Sequence, residues 1–144
     1  MKRRNCLPAM EPWVWQTREL LASDAWRSLG INGRRVIDFL QLEHMGKAGG
    51  ANGHLKAPHR QLEAFGIGKR HIASAIRKAE KVGLVDCHRG GMKVATTYTL
   101  TWLPLHDGTP ASNRWRLYRN PKLAPLPRPK IKILPHKGEA ALPH

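Results

Sequence analysis

The sequence predicts a mainly helical domain with one small β-hairpin, carried between basic arms. Three observations lead there. From Ser23 to Val82 apolar residues recur at helical spacing between capping residues and glycine turns, from Leu84 to Leu103 the spacing shortens to alternation, and beyond Trp102 prolines and cations displace both patterns. These changes divide the 144 residues into an N-terminal arm over 1–22, partly helical, a domain over 23–103, and a Pro-rich basic tail over 104–144. The tail is expected to be mostly extended or disordered, adding charge and no core, with Trp115, Leu117 and Tyr118 as the one stretch left free to pack back.

The arm opens on Met1-Lys2-Arg3-Arg4, the charge of a signal peptide without its apolar run, since Pro8, Glu11 and Pro12 interrupt. Ser23 is placed to cap a short helix over Asp24 to Leu29, and Asn32 to cap a longer one over Gly33 to Met45. In the longer helix Val36, Ile37 and Leu40 form one apolar face, and Phe39, Leu42 and Met45 form a second stripe turned away from it. A helix apolar on two sides needs two partners, and the second is either the segment Trp13 to Leu21 or another copy of the chain. Gly46 to Gly53 reads as a loop. Neither it nor Gly66-Ile67-Gly68-Lys69-Arg70 has the GxxxxGK[ST] spacing of a phosphate cradle, which excludes nucleotide binding there.

Pro58 suits the first turn of a helix over His59 to Phe65, Gly66-Ile67-Gly68 makes a tight turn, and Lys69 to Val82 form a second helix closed by Gly83. Leu84 to His88 and Lys93 to Leu103 then read as strands joined by Arg89-Gly90-Gly91-Met92. In the second strand Val94, Thr96, Tyr98, Leu100 and Trp102 share a face, and threonines dominate the other. Helix, turn, helix and hairpin in this order spell a winged helix-turn-helix domain with flexible basic tails.

Charge names the class of partner. The chain carries 25 Lys and Arg against 10 Asp and Glu, a formal charge of +15 and a pI near 10.8, which asks for a polyanion. No apolar run approaches the roughly 20 residues of a spanning helix, so a membrane is set aside. Cys6 and Cys87 show no CxxC spacing and no disulfide framework, which points to a reducing, cytoplasmic setting at the nucleoid.

At about 100° per residue, Ser74, Arg77 and Lys81 fall within about 40° of Arg70, while Ile72, Ala75, Ile76 and Ala79 cluster opposite. A solvated helix face ordinarily mixes signs, and this stripe contains no acid, with Glu80 off to the side. The expected base-reading residues are therefore Lys69, Arg70, Ser74 and Arg77. His59, Arg60, Lys78 and Lys81 are expected on phosphates, and Arg89, Gly90, Gly91 and Lys93 form the wing, whose glycines let backbone approach the duplex closely. A plain edge hairpin with incidental cations is the alternative for the wing.

The stretches Leu55-Lys-Ala-Pro58 through Ile72, Ala75-Ile76-Arg77 and Val82-Gly83-Leu84-Val85 resemble, over about 50 residues, the winged-helix pattern of GntR-type regulators. Ala25-Trp26-Arg27-Ser28-Leu29 and Arg34-Arg35-Val36 resemble small winged-helix proteins of bacterial plasmids, phages and integrative elements. The helix before the turn is a residue shorter than the regulator pattern, and no effector domain follows the wing. The resemblance thus implies sequence-specific binding of double-stranded DNA and no small-molecule effector.

Eight histidines show neither HxxxH on one helix nor Cys2His2 spacing, the carboxylates are scattered singly, and no serine or cysteine has a nucleophile signature. No metal, no cofactor and no catalysis are expected. Three roles remain: a transcriptional regulator or excisionase-like architectural factor of a mobile element, with a homodimer or cooperative oligomer on DNA as its possible assembly; a plasmid or phage replication-initiation protein; or, from another class, a basic structural RNA-binding protein.

Overall fold

Thr17 and Ser23 start the ordered helices. The Thr17 hydroxyl accepts from Leu20 N at 3.2 Å to open α1 (Arg18–Ala22), and the Ser23 hydroxyl accepts from Trp26 N at 3.1 Å to open α2 (Asp24–Arg27). The expected cap at Asn32 is corrected: α3 (Gly30–Gly46) begins three residues before the expected Gly33 and has no side-chain cap bond. Leu29 is already helical, and Gly30, with φ of +71°, swings the chain directly from α2 into α3, so no polar cap is needed. Then follow α4 (His59–Phe65), a 3-10 turn (Lys69–His71), α5 (Ile72–Lys81), β1 (Val85–His88), β2 (Thr97–Leu100) and a second 3-10 turn (Arg114–Leu117). The computed structural model describes residues 12–127. The basic start Met1 to Arg4 and the tail cations Arg128, Lys130, Lys132 and Lys137 lie outside the described residues.

The protein is mainly helical with a small two-stranded antiparallel hairpin. Val36, Ile37 and Leu40 of α3 have no exposed surface, and α3 packs most extensively against α5, whose Ile72, Ala75, Ile76 and Ala79 are all buried. The small alanines let the two helices approach closely. The second stripe of α3 is divided. Phe39 is buried with Phe65 of α4 edge-on at 5.6 Å, Met45 is half-buried and Leu42 stays exposed, while outside the stripe Gln16 of the N-terminal segment donates to Gln41 at 2.7 Å.

In the hairpin Val85 pairs with Leu100 and His88 with Thr97. Leu55 adds a one-residue bridge on the outer side of β2, exchanging both backbone bonds with Tyr98 at 2.8 and 3.3 Å. The second strand is shorter than the alternation predicts. Gly91 and Lys93 take φ of +82° and +66°, which spends residues 89–96 on a loop and leaves Val94 exposed. Past Leu100 the Thr101 N–H still donates in register to Leu84 O at 3.1 Å, but Leu84 N donates to Ala79 O at 3.2 Å and Thr101 O accepts from Asn113 N at 2.9 Å, so the ladder ends there.

The expected tail boundary at 103 needs correction, because residues 104–124 bind the body. Trp115 is buried in the core, and Asn113 N donates to Thr101 O at 2.9 Å. Asn120 N donates to Asp24 Oδ2 at 2.9 Å, and Arg27 donates to Ala124 O at 2.7 Å. Gly83 shows why the fit is tight: its φ is +88°, and a Cβ there would sit 3.0 Å from the Arg114 carbonyl oxygen and Trp115 N. Residues 103–112 also fold over the outer face of the hairpin, so Thr99 and Thr101 are buried where a solvent-facing side was expected. The N-terminal arm likewise joins the body from Trp15, whose carbonyl accepts from Trp102 Nε1 at 3.0 Å.

Candidate nucleic-acid interface

The site is built on the turn between α4 and α5. Gly66, with φ of +118°, ends α4, and Ile67 N donates back to Leu62 O at 3.1 Å while its side chain is buried. Arg35 of α3, which is not among the expected site residues, donates to Gly66 O at 3.0 Å and fixes the turn from behind. Its neighbour Arg34 lies over the Trp26 ring at 5.6 Å.

The first turn after Gly68 is 3-10, which advances Lys69 and Arg70 by about 20° per residue relative to the α period. Both remain exposed, as do Ser74, Arg77 and Lys81, and Lys78 is half-buried. Ser74, Arg77, Lys78 and Lys81, with Glu80 at the edge, line one surface depression of about 500 Å³. Among the described residues the ion pairs are Arg89–Glu80, Arg114–Asp86 and Arg116–Glu19, and none involves a basic residue from Lys69 to Lys81. The α5 face thus presents cations with no carboxylate of their own. Ser74 differs: its hydroxyl donates to His71 O at 3.0 Å, leaving its lone pairs outward. His59 and Arg60 stand exposed on the first turn of α4, on the N-terminal side of the same turn.

The wing residues come out unlike one another. Arg89 folds back on α5 and pairs with Glu80 at 3.3 Å, with the two side chains 59% and 32% exposed. Burial pushes the Glu80 carboxyl up, but the bond and charge of Arg89, with bonds from Cys87, outweigh it and hold the carboxyl below its ordinary value. Burial, the Glu80 charge and a bond to Glu80 push the Cys87 thiol up to about 12, so it is no reactive thiolate. Gly90 serves the loop itself, since a Cβ there would collide with the Val94 side chain, and Gly91 supplies a left-handed turn in open space. Lys93 is exposed at the tip.

Two histidines outside the expected site, His54 and His106, bring their Nε2 atoms to 3.0 Å, a contact that spacing 52 residues apart in the chain could not reveal. His88 is exposed at the end of β1. Among the described residues no group of three His, Cys, Asp or Glu side chains converges to hold a metal, and no helix is long and apolar enough to cross a membrane.

Comparison with protein-family models, with curated protein sequences and with solved structures finds no match to any of them. The resemblance to GntR-type regulators therefore rests on its own residues.

Proposed function

We propose that this chain is a winged helix-turn-helix protein that binds double-stranded DNA sequence-specifically and performs no catalysis. One observation carries the reading: α5 seats an apolar face on α3 and turns outward a row of cations that no carboxylate among the described residues neutralises. A helix of this kind fits the major groove, about 12 Å wide, with Lys69, Arg70 and Arg77 reaching base edges and Lys78 and Lys81 the flanking phosphates. Ser74 reads as an acceptor there, its proton being spent on His71. His59 and Arg60 meet the backbone beside the turn, and Lys93 takes the phosphate role at the wing tip while Arg89 is held by Glu80. Its work is then to occupy DNA, as a transcriptional regulator or an architectural factor does.

The test is competition among duplex DNA, duplex RNA and single-stranded RNA for the 144-residue chain. A helix cannot enter the deep, narrow groove of A-form RNA, so duplex DNA should win. Five phosphate contacts imply a log–log salt slope of about −4.5, at roughly −0.9 per contact. Preference for either RNA, or affinity that hardly changes between low and moderate salt, overturns the reading.

A further inference from the structure

The His54–His106 pair includes none of the residues of the proposed DNA face and has the construction of a ligand site. His106 is anchored at two points on one carbonyl: its backbone N–H donates to Asn52 O at 2.9 Å, and its ring Nδ1 lies 3.0 Å from the same oxygen. A carbonyl only accepts, so Nδ1 carries the ring proton and Nε2 is left with a bare lone pair. This is the arrangement in which a backbone carbonyl orients a metal-binding imidazole and raises its basicity.

The carbonyl is itself immobile. Asn52 is fully buried, its amide donates to Leu100 O, Leu103 O and Pro104 O at 3.0–3.1 Å, and its Oδ1 accepts from Leu100 N at 2.8 Å. Gly53 completes the cradle: a Cβ there would stand 3.1 Å from His106 Nδ1.

The two rings do not satisfy each other well. A linear Nε2–H···Nε2 bond would hold the ring centroids about 5 Å apart. They are 4.0 Å apart with 50° between the planes, so the nitrogens stand side by side instead of end to end. Two nitrogens each about 2.05 Å from one metal ion are about 2.9 Å apart at a right angle and about 3.3 Å apart at the tetrahedral angle. The 3.0 Å separation matches the right-angle bite.

We infer that His54 and His106 form a two-histidine site for a divalent transition metal that accepts right-angle nitrogen ligands, Ni²⁺ or Cu²⁺ ahead of Zn²⁺. Water fills the remaining positions, since both rings are exposed and no third protein ligand converges among the described residues. On binding, the His54 ring proton sits on Nδ1 and both Nε2 lone pairs go to the ion. The ion then ties the loop at 106 to residue 54, next to the Leu55–Tyr98 bridge, and so fastens the loop over the hairpin.

The experiment is a Ni²⁺ titration of the untagged 144-residue chain at pH 7.5, read by calorimetry and by the ring proton resonances of the histidines. One equivalent should broaden His54 and His106 before the other six, and should raise the melting temperature. His54→Ala and His106→Ala should each weaken that first equivalent at least about tenfold and abolish the thermal shift, while His71→Ala leaves both unchanged. If either variant melts without metal far below the parent, the parent's resonance order decides alone. Broadening that begins at other histidines, or a folded His54→Ala/His106→Ala double variant that binds Ni²⁺ as tightly as the parent, overturns the site.

Discussion

The outer face of α5 and the segment from Asn113 to Asn120 are both rich in basic residues, and the structure uses them in opposite ways. On α5 the cations point out from a helix whose apolar side is filled, and among the described residues no carboxylate pairs them. Arg114 instead is turned inward as a fastener: Nε and Nη2 reach Asp86 Oδ1 at 2.9 and 2.6 Å, and Nη2 also reaches the carbonyls of Glu80 and Val85, both at 3.1 Å. Arg116 pairs with Glu19 at 2.7 Å and lies over the Trp115 ring at 5.2 Å. A count of Lys and Arg measures both populations together. Only the location of the carboxylates separates cations that hold the fold from cations that meet a partner.

The largest effect should come from removing the inward-facing region. Ending the chain after Leu103 takes Trp115 out of the core and uncovers Gly83, Thr99 and Thr101. Cooperative thermal unfolding should be lost. Trp115→Ala in the full chain should cost about 3–5 kcal/mol, measured by urea titration. A truncated chain that melts as sharply as the parent would mean that residues 104–127 decorate the domain and do not build it.

Next comes Arg114→Ala, which strands the Asp86 carboxylate and two carbonyls. The expected loss is about 1.5–3 kcal/mol of stability, toward the lower end because the ion pair is partly exposed. The salt slope of DNA binding should not change, since Arg114 contributes no phosphate contact. A slope reduced by about one unit with stability intact would move Arg114 from the first population to the second.

The outward-facing region should give the converse: binding lost, stability kept within about 0.5 kcal/mol. Arg70→Ala should cost about 1–3 kcal/mol on the preferred duplex and relax preference at one base position. Lys81→Ala should weaken all duplexes alike and reduce the salt slope by about one unit. Titrations of cognate and scrambled duplexes at several salt concentrations distinguish the two. Equal losses on both duplexes for Arg70→Ala would make it a phosphate contact and reverse the orientation of α5 in the groove.

The contrast also explains what could be read from the sequence. The α5 face was legible because helical periodicity sorts Ile72, Ala75, Ile76 and Ala79 from the cations with no knowledge of the rest of the chain. Ser23 and Gly83 were legible as caps for the same local reason. Arg114 and Asn52 were not, because their roles are made by partners 28 to 52 residues away, and a segment with four prolines between 104 and 125 has the composition of a tail however firmly Trp115 anchors it. The long second strand failed on local chemistry: the positive φ at Lys93, a residue type that rarely adopts it, ended an alternation that the sequence continued.

Glu80 belongs to both regions, and changing it should have the smallest effect and the sharpest meaning. Its side chain borders the α5 face and holds Arg89, while its carbonyl accepts from Arg114. Glu80→Gln leaves the backbone bond in place, removes one negative charge beside the proposed DNA face and releases Arg89. Stability at pH 7 should fall by less than about 1 kcal/mol, as for an exposed pair. Duplex affinity should rise about two- to fivefold, with a salt slope steeper by about 0.9 if Arg89 finds a phosphate. The pH dependence has a definite sign. A carboxyl held below its unfolded value of 4.5 stabilises the fold above that value, and the contribution is lost as pH falls through the folded value. The melting temperatures of parent and Glu80→Gln should therefore differ at pH 7 and converge in the acid limb. A gap that persists unchanged at pH 3 would show that the side chain contributes through packing and that Arg89 was never restrained by charge. An affinity that fell on substitution would show that the Arg89–Glu80 pair positions the wing for DNA instead of withholding a cation from it.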